Sequence, residues 1–145
     1  MTEALGEALG RGALAIIAYA VLGLILLIAG FYALDLATPG RLSRIIRTDR
    51  NPNATLVAAS GVAAVGLIVT ASIWASGGAL LEGLLSTLIF GLTGIVAQTL
   101  GSLAFDRVIG LDVRALISEP RLHPAAVLMA VTHLAIGLIM AVSVI

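Results

Sequence analysis

The chain has 145 residues, of which 60% are hydrophobic and 11% charged, and its mean hydropathy is +1.14. A water-soluble domain carries about a quarter charged residues because it must clothe its surface with them, so this composition excludes one. The formal net charge of zero gives no basis for a nucleic-acid partner, and the absence of cysteine removes disulfides, thiol catalysis and thiolate metal sites.

The first twelve residues hold Glu3, Glu7 and Arg11. That stretch is not a positive n-region, and the apolar run behind it is too long for a signal h-region, so no cleavable signal peptide is expected. Residues 13–34 are the first of four runs free of Asp, Glu, Lys and Arg; the others are 54–75, 83–105 and 125–145. A bilayer core needs about twenty apolar residues in a helix. Backbone facing lipid must satisfy its own hydrogen bonds, so each run reads as a transmembrane helix.

Asp35 ends the first run, where a helix macrodipole opposes a carboxylate. Compensation is expected from a loop arginine or from the start of the next helix. Thr38-Pro39 reads as that start, with Thr as N-cap and Pro in the first turn. Arg41, Arg44 and Arg47 then fall on one helical face, with Leu42, Ile45 and Ile46 on the other, and Arg50 follows. The pattern predicts a short amphipathic helix lying on the membrane surface. Asn51 and Asn53 flank Pro52 and are expected to cap the second span. Trp74 suits the interfacial belt at the far end of that span, and Glu82 suits the N-terminus of the third.

The third span carries Gln98 and ends at Asp106; a second basic loop follows, with Arg107, Arg114 and Arg121. The fourth carries His133, which is the ionisable residue deepest in any span and hence a functional candidate by default. Gln98 and His133 lie at similar depth and are expected to hydrogen-bond. Small residues four apart (Ala59/Ala63, Ser60/Ala64, Ala97/Gly101, Ala126/Ala130, Gly137/Ala141) are expected to let the helices pack closely.

Seven arginines lie in the two long loops, against Arg11 alone on the other side. The positive-inside rule therefore places both loops in the cytoplasm, with both termini and the 76–82 turn outside. A shift of 71 residues overlays the chain on itself with about nineteen identities in roughly seventy positions, among them Gly23/Gly94, Gly30/Gly101, Asp35/Asp106, Ile46/Ile117 and Arg50/Arg121. The expected fold is thus all-α and integral to the membrane. Its four transmembrane helices form two tandem parallel two-helix repeats within one domain, residues 4–73 and 75–144, each with an amphipathic helix in its loop. Leu27 and Val62 stand in the first copy where Gln98 and His133 stand in the second.

Asp35, Thr38-Pro39, the short basic helix, and Asn53 with the alanine-rich stretch to Gly61 together resemble the YjfL-like membrane proteins, catalogued as domain of unknown function 350 and of UPF0719 type. The resemblance covers nearly the whole chain and implies a bacterial inner-membrane protein with no established activity. The second copy departs from the pattern: Ile109-Gly110 replaces Thr38-Pro39, and Pro124 replaces Asn53. No enzyme motif and no metal-ligand or cofactor motif occurs. The leading expectation is a non-enzymatic membrane module that associates with itself or with other membrane proteins. The alternative is an oligomeric channel or transporter for a small ion or proton, lined by Gln98, His133, Thr99 and Thr132.

Overall fold

The structure, a computed structural model, describes residues 2–77 and 79–145. Met1, Gly78 of the expected 76–82 turn, and the side chains of Thr2 and Glu3 lie outside the described residues.

Four long helices alternate with two short ones: α1 (Thr2–Ala37), α2 (Leu42–Arg47), α3 (Pro52–Ala75), α4 (Leu80–Ile109), α5 (Val113–Ser118) and α6 (Pro124–Val144). The four long ones are long and apolar enough to cross a membrane. At 36 residues α1 is about 54 Å long, well beyond the roughly 30 Å of a hydrocarbon core. It starts eleven residues before the apolar run because Glu3, Glu7 and Arg11 interrupt hydropathy without interrupting helix. α4, with 30 residues, similarly carries Asp106 and Arg107 inside its last turns.

α3 is the central helix and packs against all five others; α1 and α6 each lie against both α3 and α4. Glycine sets the closest approaches. A Cβ at Gly137 of α6 would fall 2.5 Å from Ala64 Cβ and 2.7 Å from Ala64 Cα, so α3 and α6 meet backbone to backbone. Gly94 receives Ile68, Gly91 receives Leu26 and Gly30 receives Val65. Without a hydrophobic difference between lipid and leucine, such close packing holds membrane helices together. Leu26, Val65, Val69 and Ile95 fill the half of the bundle remote from the arginines. Ser60, Ala64, Ala126, Ala130, Gly137 and Ala141 are buried, as expected for packing positions, whereas Ala59 and Ala63 face outward. At the remote end the Tyr19 hydroxyl meets Ser76 Oγ at 3.2 Å.

The first connector corrects the expected start of α2. Thr38 donates its Oγ1 and its backbone N–H to the Leu34 carbonyl, at 2.8 and 3.0 Å, and so closes α1 instead of opening α2. Pro39 stops the helix and Gly40, at φ +103°, turns the chain. α2 then begins at Leu42 behind Arg41, which offers no side-chain cap. The missing cap comes from α1: Asp35 Oδ1 accepts the Ser43 N–H at 3.2 Å. Of the two forms of compensation expected for Asp35, the start of the next helix is the one present.

Candidate functional site

Three polar side chains meet at one level of the bundle. Ser60 of α3, eight residues beyond Pro52, and His133 of α6, nine beyond Pro124, reach the same depth because α3 and α6 run in the same direction. Gln98 of α4 arrives from the opposite direction. All three are buried, His133 at 2% exposure. Gln98 and His133 are joined by a hydrogen bond, made to the His133 backbone and not to its ring. Gln98 Nε2 donates to the His133 backbone carbonyl at 2.9 Å, while the His133 ring turns to α3, with Nδ1 3.1 Å from Ser60 Oγ. Ser60 gives its one hydroxyl hydrogen to the Val57 carbonyl at 2.9 Å. Ser60 had been legible only as a small packing residue; equal depth from the two helix-starting prolines is the signal that finds it.

From this level a cleft of about 420 Å³ runs to the arginine-rich end. His133 and Met129 of α6, Val57 of α3 and Leu34 of α1 line it, with Thr99, Ser102 and Asp106 along one face of α4. Asp112 and Arg114 stand at its mouth beside Arg107. Thr99 Oγ1 is bonded to the Ile95 carbonyl at 2.8 Å. Ser102 Oγ and Gln98 Oε1 are buried with no hydrogen-bond partner among the described residues. Thr132 lies outside this cleft and bonds its own helix at Leu128.

The second connector is built around a residue of the first unit. Asn53, fully buried, was expected to cap α3; Asn51 does that, its Oδ1 accepting the Ala54 N–H at 3.0 Å. Asn53 faces the other connector. Its Nδ2 group is shared among the carbonyls of Leu116 (3.2 Å), Glu119 (2.9 Å) and Arg121 (2.9 Å), and its Oδ1 accepts the His123 N–H at 2.8 Å. Asn51 Nδ2 adds a bond to the Glu119 carbonyl at 2.8 Å. These bonds place both connectors at one end of the bundle and hold α5 over the cleft mouth. Gly61 serves packing, against Leu34.

The basic residues remain at the surface. Arg41, Arg44, Arg47, Arg50, Arg114 and Arg121 are all exposed. Arg50 lies beyond α2 at φ +49°, so it does not extend that helix's basic face. Among the described residues, no group of three or more His, Asp or Glu side chains is placed to hold a metal ion.

No solved structure matches the chain. A UPF0719 transmembrane protein of Mycolicibacterium paratuberculosis is 35% identical over 127 residues, which cover 88% of this chain and 84% of the relative. UPF0719 transmembrane proteins of Mycobacterium bovis and Mycobacterium tuberculosis are 33% identical over the same shares. The profile described as Domain of Unknown Function (DUF350) matches residues 8–144, and with four helices long and apolar enough to span a bilayer the chain belongs to the DUF350 family of multi-pass transmembrane proteins.

Proposed function

We propose that this chain is a non-enzymatic module of the bacterial inner membrane that self-associates through the first turns of α1. The observation that carries the reading is the bareness of that overhang. Residues 4–14 of α1 are exposed throughout, Leu5 and Leu9 at 60% and 65%, and added Cβ atoms at Gly6, Gly10 and Gly12 would meet nothing within 4 Å. Within the bundle, by contrast, an added Cβ at Gly30, Gly61, Gly91 or Gly137 would come to 2.5–2.7 Å of another residue. An isolated helix of about eleven residues is marginal in water, and each interior glycine costs about 1 kcal/mol more. A second copy's α1, packed along Leu5, Leu9 and the glycines, gives this segment the cover it lacks.

In this reading the two like units stand side by side in the same sense. Both termini are outside and the arginine connectors are cytoplasmic, with α2 and α5 at the inner leaflet. The α1–α3 contact has its counterpart in α4–α6, and α3 and α6 meet at the centre. The test is oxidative cross-linking of Leu9→Cys in this cysteine-free background, in native membranes. A disulfide-linked dimer is expected. Monomer alone, together with a monomeric mass in lipid nanodiscs, overturns self-association.

A second reading, an oligomeric channel or transporter for a small ion or proton, is favoured by the cleft that ends on His133. Flux in proteoliposomes that is unchanged in His133→Ala and Gln98→Ala removes those residues from such a role.

A further inference from the structure

We propose that the cleft is a water-filled inlet, open at the connector end and closed beyond His133, through which water and a proton carried by it reach the imidazole from one side of the membrane. The inlet stands whether or not copies associate, and because it is dead-ended it differs from a through-going pore.

The chemistry of the α4 wall carries the argument. Thr99, Ser102 and Asp106 recur at three- and four-residue intervals, which puts them on one helical face. Asp106 lies at the mouth. Ser102 is one turn deeper, about 6 Å, and Thr99 about 10 Å. Ser102 is 5% exposed and lines a space of about 420 Å³, although its hydroxyl is turned out of that space and has no protein partner among the described residues. A buried hydroxyl without a hydrogen bond costs about 1–3 kcal/mol, so Ser102 gains by turning to water in the adjoining space, whose mixed wall also carries Asp106, Asp112 and the His133 ring. The space holds several molecules. They would find donors and acceptors at Ser102, Thr99, Asp106, Asp112 and the His133 ring, the two to four partners that an ordered water needs. Lipid in the same place would leave the Asp106 carboxylate in hydrocarbon with no donor among the described residues and would give Ser102 no partner.

The other end is shut by packing. Beyond Ser60 and His133 the backbones of α3 and α6 touch at Ala64 and Gly137, Ile68 presses on Gly94, and Leu26 on Gly91. The cluster of Leu26, Val65, Val69 and Ile95 follows. His133 thus sits at the floor of the inlet, with Nδ1 against Ser60 Oγ and no described residue bonded to Nε2.

The chain's lack of cysteine makes the test direct. Single cysteines are placed at Ser102, Thr99, Leu100 and Arg44 of the full chain, in inverted and right-side-out membrane vesicles. Each is exposed to a charged, membrane-impermeant methanethiosulfonate. Arg44→Cys, on the exposed surface of α2, marks the connector side; Leu100→Cys, 61% exposed on the lipid-facing side of α4, marks a dry thiol. Only the thiolate reacts and it forms in water, so Ser102→Cys is expected to react at least about tenfold faster than Leu100→Cys. It should do so only in vesicles where Arg44→Cys also reacts. Thr99→Cys, whose threonine is half-buried on the same wall, is expected to behave alike, and it decides the matter if Ser102→Cys fails to fold. Reaction of both no faster than Leu100→Cys overturns the hydrated inlet; equal reaction from both faces overturns its closure.

Discussion

The two connectors lie at the same end of the bundle yet are held in different ways. In the first, Asp35 reaches forward from α1 and takes the Ser43 amide, Thr38 closes α1, and Asn51 caps α3, so the segment is tied by its own neighbours. In the second, Gly110 at φ +73° closes α4, Asp112 caps α5 locally through Ala115, and the segment from Leu116 to His123 hangs on Asn53 of the other unit. Asp112 rather than Asp106 caps α5, and Asp106 lines the cleft. Asn53 of α3 is the scaffold on which the segment after α5 is hung.

The sharpest way to break this division is Asn53→Ala. It leaves the Arg121 carbonyl and the His123 N–H without that partner and takes one of two bonds from the Leu116 and Glu119 carbonyls, and we expect a loss of about 3 kcal/mol in unfolding from micelles. The matched position of the second unit, Pro124, has only a helix start to lose, and Pro124→Ala should stay within about 0.5 kcal/mol. A loss at Asn53 below about 1 kcal/mol would mean that water replaces the amide, and that the second connector shapes itself.

Gly137 and its counterpart Gly66 give the next contrast. Gly137 lies against the Ala64 backbone, whereas an added Cβ at Gly66 would meet only Leu27 Cδ2 at 3.8 Å. Gly137→Ala should cost about 2 kcal/mol by forcing α3 and α6 apart. Gly66→Ala should be neutral or gain about 0.5 kcal/mol from helix propensity. Equal effects, read by thermal unfolding in the same detergent, would place the two units on an equal footing at the centre of the bundle.

The same asymmetry explains what the sequence could and could not convey. Membrane spans are written in composition, because twenty apolar residues have few other fates, and all four were legible. Helix ends were less so. Hydropathy stops at Arg11 and Phe105, but hydrogen bonding continues through charged residues, so α1 and α4 overrun their apolar runs. Thr38-Pro39 fits the end of one helix as well as the start of another, and the choice was made by Gly40, whose positive φ places the turn after Pro39. Asn53 was misread because its partners are backbone carbonyls, which every residue has and which leave no mark in a sequence. The level of His133 and Gln98 was readable from depth, but the choice of Ser60 over Gln98 for the imidazole depends on how α3 and α6 rotate against each other, and that is set by Gly137.

The Ser60–His133 contact supplies a smaller effect. A double-mutant cycle with Ser60→Ala and His133→Leu should give a coupling of about 0.6 kcal/mol, ordinary for an interhelical bond in a membrane. The matched pair of the repeat, Val131 and Val62, should show none, since Val131 faces outward. A coupling near zero at Ser60 and His133 would leave the imidazole held by the cleft alone.

The smallest expected effects are the most telling, because they differ in sign. Asp35 and Asp106 each lie near the end of a long helix, where the macrodipole disfavours an anion. Asp35 offsets that by accepting the Ser43 amide, so Asp35→Asn should cost about 0.5 kcal/mol or slightly more. No described residue donates to the Asp106 carboxylate, which lines the cleft half-buried. Asp106→Asn removes the unfavourable charge and keeps the shape, so it should stabilise by about 0.5 kcal/mol. A residue whose removal steadies the fold is one the fold does not require, and such positions in natural proteins are where stability has been given up for activity. If both substitutions destabilise equally, Asp106 has a structural partner after all and the polar wall of α4 loses its outermost member.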